Sequence, residues 1–464
     1  MSTDASTSTP GADAVGAVEA PGIEVPHTLD EPAPRPLGLL DQFGFWGNLG
    51  VSLLGFAGAA GLLVPVGSGP LSLPAAVTAL VVGTVLGGLA LGASLVLGAR
   101  TGMPAMVLLR GLLGGKMSFL PTALNLAQCL GWAMFELVVI AGGLEAVTFG
   151  HLPRWGCVLI AGAVTTALTI RPLGAIRLLR RYVAVLVVLA MVVLLIGLLR
   201  RPAEAVHGSW SGFWLAADTA IALSISWVPL GADYSRHSRT ERAAFLGGFV
   251  GYGVTQVLCM LMGILALAEV KQDPNKIFDL FQALPLGTAA LAVLVLRETD
   301  QSFANVYSTA VSIQNLRPRW DRRWLTALIG AGTTAVALRF DMAQYQNFLY
   351  LIGGVFIPMS GALIGAWAAR GAAGWDTSLS ARPRPLMLLA WIAGFVMYQL
   401  VNPGSVTRWS DLWTWAGNHL HTLGHAWLSA SVAAFVVSAV LAYLLSGLEP
   451  TRTAVAEVPA TEQV

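Results

Sequence analysis

The chain has 464 residues, of which 55% are hydrophobic and only 11% charged, and its mean hydropathy of +0.69 lies far outside the balance of soluble domains. Its 27 basic and 25 acidic residues leave a formal net charge of +2, which gives no electrostatic footprint for nucleic acid and excludes that class of partner. Cys129, Cys157 and Cys259 all sit inside apolar runs, form neither a metal-ligand pattern nor a disulfide framework, and read as small buried hydrophobes.

Residues 1–40 are rich in Ala, Ser, Thr, Pro and Glu and lack the apolar region of a cleaved signal peptide, so they read as a disordered cytoplasmic tail. Residues 41–447 form the transmembrane body, and 448–464 a second polar, cytoplasmic tail. A helix needs about 20 mostly apolar residues to cross the hydrocarbon core. Runs of that kind fall at 43–64, 73–98, 120–144, 155–171, 182–200, 213–233, 244–268, 286–313, 324–338, 345–369, 386–402 and 428–446. The expected fold class is an all-α integral membrane protein with twelve transmembrane helices. Alternate connections carry the basic residues, among them Arg100, Arg110 and Lys116; Arg177, Arg180 and Arg181; Arg236, Arg239 and Arg242; Arg317, Arg319, Arg322 and Arg323; and Arg370, Arg382 and Arg384. The positive-inside rule makes these loops cytoplasmic and leaves both termini there, in a cell (inner or plasma) membrane.

The first span holds Gly47, Gly50, Gly55, Gly58 and Gly61, a pattern that serves either close packing or a break. The sixth runs Ser224-Ile225-Ser226-Trp227-Val228-Pro229-Leu230-Gly231, with Pro229 and Gly231 expected to interrupt the helical ladder. Interrupted segments at matching positions of two halves point to a carrier's midplane site. They imply an inverted repeat of spans 1–5 and 6–10 with two peripheral helices.

Polar side chains in lipid cost about 2.5–3.5 kcal/mol each on insertion scales when charged, so they mark pathways. Span three carries Asn125 and, at i, i+4 and i+8, Gln128, Trp132 and Glu136 along one stripe. An aromatic plate flanked by an amide and a carboxylate suits a flat heterocycle, although a packed tryptophan with interhelical hydrogen bonds gives the same spacing. Span eight carries Arg297-Glu298-Thr299-Asp300-Gln301-Ser302-Phe303-Ala304-Asn305. At 100° per residue Glu298, Gln301 and Asn305 share a face and Asp300 points away, which suggests one face for a polar ligand and another for a cation or proton. Arg297 reads as the internal partner of Glu298 or Asp300. Asp233, at the cytoplasmic end of span six, reads as a hydrated or arginine-paired structural or gating group.

Several ordered motifs resemble the nucleobase-cation-symport-1 family, and within it the cytosine/purine permease branch. They are Thr101-Gly102-Met103-Pro104 to Arg110, Pro121 through Gly131-Trp132, Ala232-Asp233-Tyr234-Ser235-Arg236, Asn305-Val306-Tyr307-Ser308, and Phe348-Leu349-Tyr350-Leu351-Ile352-Gly353 with Pro358. The resemblance implies a leucine-transporter-like five-plus-five inverted repeat with two peripheral helices, and substrate held between spans one, three, six and eight. It implies substrate contacts at Gln128, Trp132, Glu136, Ser224, Ser226, Gln301 and Asn305, with Ser224 standing where several relatives have an aromatic plate and Trp227 its substitute if presented inward. It implies a coupling-ion site of backbone and hydroxyl oxygens at Gly50, Leu53, Leu296 and Thr299, with a carboxylate at Asp300 where hydroxyls are common, taking sodium or a proton. Ala366-Trp367 departs from the pair that closes the family's tenth-helix motif.

The function expected is secondary active import of a nucleobase, cytosine or a purine, by symport and alternating access, with no further cofactor. The alternative is another planar heterocycle: hydroxymethylpyrimidine, allantoin, hydantoin or uracil. The seven histidines are scattered through tails and loops, and the triplet His419, His421 and His425 falls in an extracytoplasmic connector, so neither an enzyme nor a metal site is expected. No repeated pore loop suggests a channel.

Overall fold

The computed structural model describes residues 28–29, 31–65, 68–170, 184–201, 206–273, 276–339, 345–404, 406–423, 425 and 427–449. The N-terminal stretch 1–27 and the C-terminal stretch 450–464, read above as tails, lie outside the described residues, as do Arg177, Arg180 and Arg181. The described residues are helical, apart from connecting segments and two isolated parallel bridges, Leu37 with Ser238 and Leu71 with Ser209.

A helix lies over each apolar run. The first run is α1 (Leu39–Leu49), α2 (Leu53–Gly58) and α3 (Ala60–Leu63); then come α4 (Leu73–Thr101), α5 (Ala105–Leu113), α6 (Phe119–Val147), α7 (Arg154–Ile170) and α8 (Ala184–Leu199). The sixth run is α9 (Phe213–Ile225) with α10 (Val228–Ser235), and the seventh is α11 (Glu241–Leu246), a π-helical turn at Gly247–Tyr252, and α12 (Gly253–Glu269). After α13 (Ile277–Gln282) follow α14 (Gly287–Leu316), α15 (Arg322–Ala337), α16 (Tyr345–Arg370), α17 (Pro385–Val401), α18 (Trp409–His419) and α19 (Ala430–Ser446). Among the described residues, five continuous helices are long and apolar enough to cross a membrane: Leu73–Thr101, Phe119–Val147, Phe213–Ser235, Glu241–Glu269 and Phe348–Arg370. The bent pair Leu39–Leu49 and Leu53–Leu63 makes a sixth. Four further apolar helices are shorter, and α14 is long enough but carries the polar strip 297–305.

Small residues let these helices approach closely, which replaces the hydrophobic drive that lipid does not supply. A Cβ at Gly83 would lie 2.4 Å from the Ala217 carbonyl, one at Gly87 2.8 Å from Ser224 Cβ, and one at Gly98 2.4 Å from Ser235 Oγ, so α4 is seated directly on α9 and α10. Gly361 and Gly365, one turn apart, meet the carbonyls of Phe435 and Ala439 in the same way and seat α16 on α19.

Both anticipated interruptions occur, in different forms. Span one breaks between Leu49 and Leu53 with a bend of 51°. Span six keeps its direction and its right-handed helical backbone through Ser226 (φ −57°, ψ −22°) and Trp227 (φ −82°, ψ −17°); only the hydrogen-bond ladder tightens there, with Trp227 N–H on the Ser224 carbonyl at 3.4 Å, upstream of Pro229 rather than at it. Pro229 sits at the start of α10, where its missing N–H has no helical acceptor to lose. The loop readings also gave way at α5, a buried helix between the second and third runs, and at α18. Asp233 is buried rather than hydrated, and its Oδ1 accepts the Ala105 N–H at 2.8 Å, satisfying one of the open amides at the start of α5. Several arginines assigned to loops are structural. Arg110 reaches Asn315 Oδ1 at 2.7 Å, with burial lowering its pKa to about 10, and Arg384 pairs with Glu449 at 2.5 Å, so the folded body runs at least to Glu449. The three cysteines are free and buried.

Candidate functional site

The break in the first run opens onto a small cavity of about 40 Å³. Its walls come from six runs. Leu49, Gly50 and Ser52 of the break, with Leu54 and Gly55 of α2, form one side; Trp132 and Glu136 of α6 stand one turn apart on another. Leu223, Ser226, Trp227 and Leu230 line it from the α9–α10 interruption, Tyr252, Gln256 and Met260 from the π-helical turn and α12, Gln301 and Asn305 from α14, and Tyr345 from α16.

Two indoles face this space. Trp132 is 7% exposed and packs edge-to-face on Phe348 (centroids 5.2 Å, 79°) and Tyr345 (6.0 Å, 74°). Trp227 donates its Nε1–H to the Tyr252 hydroxyl at 3.1 Å and meets Trp46 at 6.0 Å and 89°. Trp227 lies where the ladder of span six tightens, and Tyr252 ends the π-helical turn Gly247–Tyr252; inserted π turns frequently mark functional positions.

The polar edge is made by α6 and α14. Asn305 Nδ2 donates to the Gln301 carbonyl at 3.1 Å, and Gln301 Nε2 reaches across to the carbonyls of Leu49 (2.7 Å) and Val51 (3.1 Å). Glu298 accepts the Leu53 N–H at 3.0 Å and the Ser52 hydroxyl at 2.8 Å, and pairs with Arg297 at 2.9 Å. Glu136 is 1% exposed, and among the described residues its Oε2 has no hydrogen-bond partner. A buried carboxyl atom without a partner needs an explanation, and a ligand donor group is one.

The structure brings Trp132, Glu136, Ser226, Gln301, Asn305 and Gly50 together on this cavity. It leaves Gln128 and Ser224 behind the wall. Gln128 Nε2 donates to the Ser226 carbonyl at 3.2 Å and to Asn125 Oδ1 at 3.1 Å, so it braces the interruption. The Ser224 hydroxyl is turned to Gln256 Oε1 at 3.1 Å and the side chain packs on Gly87, away from the cavity. Of the expected ion-site groups, Leu53 presents its N–H to Glu298, the Leu296 carbonyl accepts the Thr299 hydroxyl at 2.7 Å, and the side chain of Asp300 lies outside the described residues. Arg297 stands at the break and pairs with Glu298; its other expected partner, Asp300, has its side chain outside the described residues. Among the described residues no group of three or more His, Cys, Asp or Glu is arranged to hold a metal ion.

Sequence reasoning passed over Ser52, Tyr252, Gln256, Met260 and Tyr345. Gln256 carried a usable signal, an amide alone in an apolar run; Tyr252 did not, because its inward aim depends on the π turn.

The sequence profile of a family described as permeases for cytosine/purines, uracil, thiamine and allantoin matches residues 31–381. The purine-cytosine permease FCY21 of Saccharomyces cerevisiae is 26% identical over 324 residues, which cover 64% of this chain and 60% of that protein. The purine-cytosine permease FCY2 of the same yeast is 24% identical over 372 residues, 72% of this chain and 68% of the relative. The chain thus spans about three fifths to two thirds of these relatives. Among solved structures, Mhp1, a nucleobase-cation-symport-1 transporter in a closed conformation with bromovinylhydantoin bound, superposes with a TM-score of 0.70 at 14% identity, covering 92% of this chain and 96% of that one. A Na+-coupled sialic acid symporter in a substrate-bound outward-open state gives a TM-score of 0.59 at 10% identity, covering 92% and 93%. At these identities the likeness is one of fold.

Proposed function

The chain belongs to the nucleobase-cation-symport-1 family of cytosine/purine permeases, a multi-pass membrane transporter, and within that frame we propose that it imports a nucleobase, cytosine or a purine, by symport with a proton or sodium ion. The observation that carries this reading is the cavity itself: Trp132 and Trp227 on its walls with Glu136, Gln301 and Asn305 beside them. A flat ring stacks on an indole whatever its substituents, at about 1–3 kcal/mol per base. Its N–H and C=O edge is then matched by a carboxyl group and two amides, which between them accept and donate.

The same reading takes all twelve helical runs as crossings, arranged as a five-plus-five inverted repeat with α17 and α19 peripheral. Both termini then lie on the cytoplasmic side of the cell membrane, where the basic connections gather. The breaks at 50–52 and 226–227 stand at corresponding positions of the two halves, which supports this arrangement.

The test is a thermal-shift series on the purified full-length protein with cytosine, adenine, guanine, hypoxanthine, uracil, allantoin, thiamine and a hydantoin. A ligand that binds only the folded state raises apparent stability with its concentration. A saturable rise with cytosine or a purine, followed by uptake into proteoliposomes that needs an ion gradient, is the expected result. A response to allantoin or thiamine alone would move the substrate to another class, and uptake without a gradient would remove symport.

A further inference from the structure

A broken membrane helix exposes the last carbonyls of one half and the first amides of the other, with partial negative charge at the first end and partial positive charge at the second. At the break between α1 and α2 both ends are met by two adjacent residues of α14. The Arg297 guanidinium donates to the Asn48 carbonyl and, at 3.3 Å, to Asn48 Oδ1. Glu298 takes the Leu53 amide at 3.0 Å and closes the ion pair at 2.9 Å, and the two side chains are 0% and 1% exposed. The polarity is matched at each end: the cation stands at the carbonyl end and the anion at the amide end.

Unwound carbonyls at such breaks are where membrane carriers generally coordinate a small cation. Here three of those oxygens, the carbonyls of Asn48, Leu49 and Val51, are already engaged. Asn48 serves the guanidinium, while Leu49 and Val51 each accept from Gln301 Nε2, at 2.7 and 3.1 Å. The Thr299 hydroxyl on α14 is turned back onto its own helix at the Leu296 carbonyl. An arginine cannot lose its proton in a protein, so its charge is permanent. A sodium ion would have to displace N–H donors from every one of these carbonyls beside a fixed positive charge.

We propose that Arg297 is a resident, tethered cation that fills the ion seat at the helix break and makes this carrier indifferent to sodium there. This rests on the carrier reading above and narrows its driving ion, leaving the substrate open.

The experiment reads sodium and substrate separately. The melting temperature of the purified full-length protein is followed in sodium chloride against potassium chloride at equal ionic strength without substrate, and the nucleobase series is repeated in each salt. The same salts are applied to Arg297→Gln and to the double variant R297Q/E298Q, which removes both members of the ion pair. Wild type and the double variant are expected to fold and melt identically in both salts. Arg297→Gln, which bares the carbonyls opposite an unpaired Glu298, is expected to gain a saturable stabilisation by sodium and none by potassium. A saturable sodium-specific rise in the wild type overturns the proposal. So does an Arg297→Gln protein that is equally stable in both salts, or one that folds in neither while the double variant folds. Loss of every nucleobase response would sink the substrate reading and leave the salt result standing.

Discussion

Replacing Trp132 with Ala tests the site most directly, because the residue has two separable jobs. It lines the cavity, and it packs on Phe348 and Tyr345 while only 7% exposed. Removing a stacking face loses about 1–3 kcal/mol of ligand binding, which is about 5- to 150-fold in Kd at about 1.4 kcal/mol per tenfold. Removing a buried tryptophan also costs about 3–5 kcal/mol of stability, for the lost contacts and the hole left behind. Trp132→Phe separates the two: it keeps a ring in the cavity while still shrinking the packed side chain. The assay is nucleobase binding by isothermal titration on folded protein, with the melting temperature recorded for each variant. Trp132→Ala is expected to weaken binding by the factor above, and Trp132→Phe by much less, although both melt earlier. If folded Trp132→Ala bound nucleobase as the wild type does, the indole would be packing alone and the stacking argument would be refuted.

Two further outcomes follow. Asn305→Ala removes an amide from the polar edge while leaving α14 in place, and is expected to weaken nucleobase binding about 5- to 10-fold, by roughly 1 kcal/mol for a lost hydrogen bond; unaltered binding with normal membrane insertion would take Asn305 out of the site. His237, beyond the end of α10, is held by burial and the neighbouring Arg236 at a pKa of about 3, with Nδ1 2.7 Å from the Pro34 carbonyl. The unfolded chain takes up this proton near pH 6.5 and the folded chain does not, so stability is full above about 6.5 and falls by up to about 1.4 kcal/mol per pH unit below it. Melting temperatures between pH 7 and 5 should therefore drop more steeply in the wild type than in His237→Asn, and parallel curves would refute the assignment.

Much of this arrangement is legible in the chain. Hydropathy alone marks the runs over which helices form, since long apolar stretches have no other solution in lipid. The 128–132–136 stripe places Trp132 and Glu136 on one cavity because i, i+4 spacing survives any tertiary context. The same stripe could not show that Gln128 stops short of the cavity. That depends on the Ser226 carbonyl, 98 residues away and freed only by the helix interruption. Ser224 is misplaced by pattern for a similar reason, since its neighbours Gln256 and Gly87 belong to other helices. Trp227 could be assigned only conditionally, and Tyr252 not at all, because its place on the cavity follows a π-helical turn that hydropathy does not mark. The buried helix α5 was hidden because its first amide is satisfied by Asp233, a partner 128 residues along the chain.

The pairing of α14 with the break also orders the making of the protein. The partners of Arg297, Glu298 and Gln301 on the first run are synthesised 245 to 252 residues before them. Until α14 meets that run, its charged and amide groups face lipid or water alone, with three charged residues, Arg297, Glu298 and Asp300, each worth about 2.5–3.5 kcal/mol against insertion. The first span therefore acts on the nascent eighth as a waiting receptor, and a chain lacking residues 39–63 should leave the eighth span poorly integrated, which glycosylation mapping of its flanks would detect. Ordinary retention of that span in the truncated chain would mean that the pair Arg297–Glu298 is neutral enough to enter the bilayer unaided.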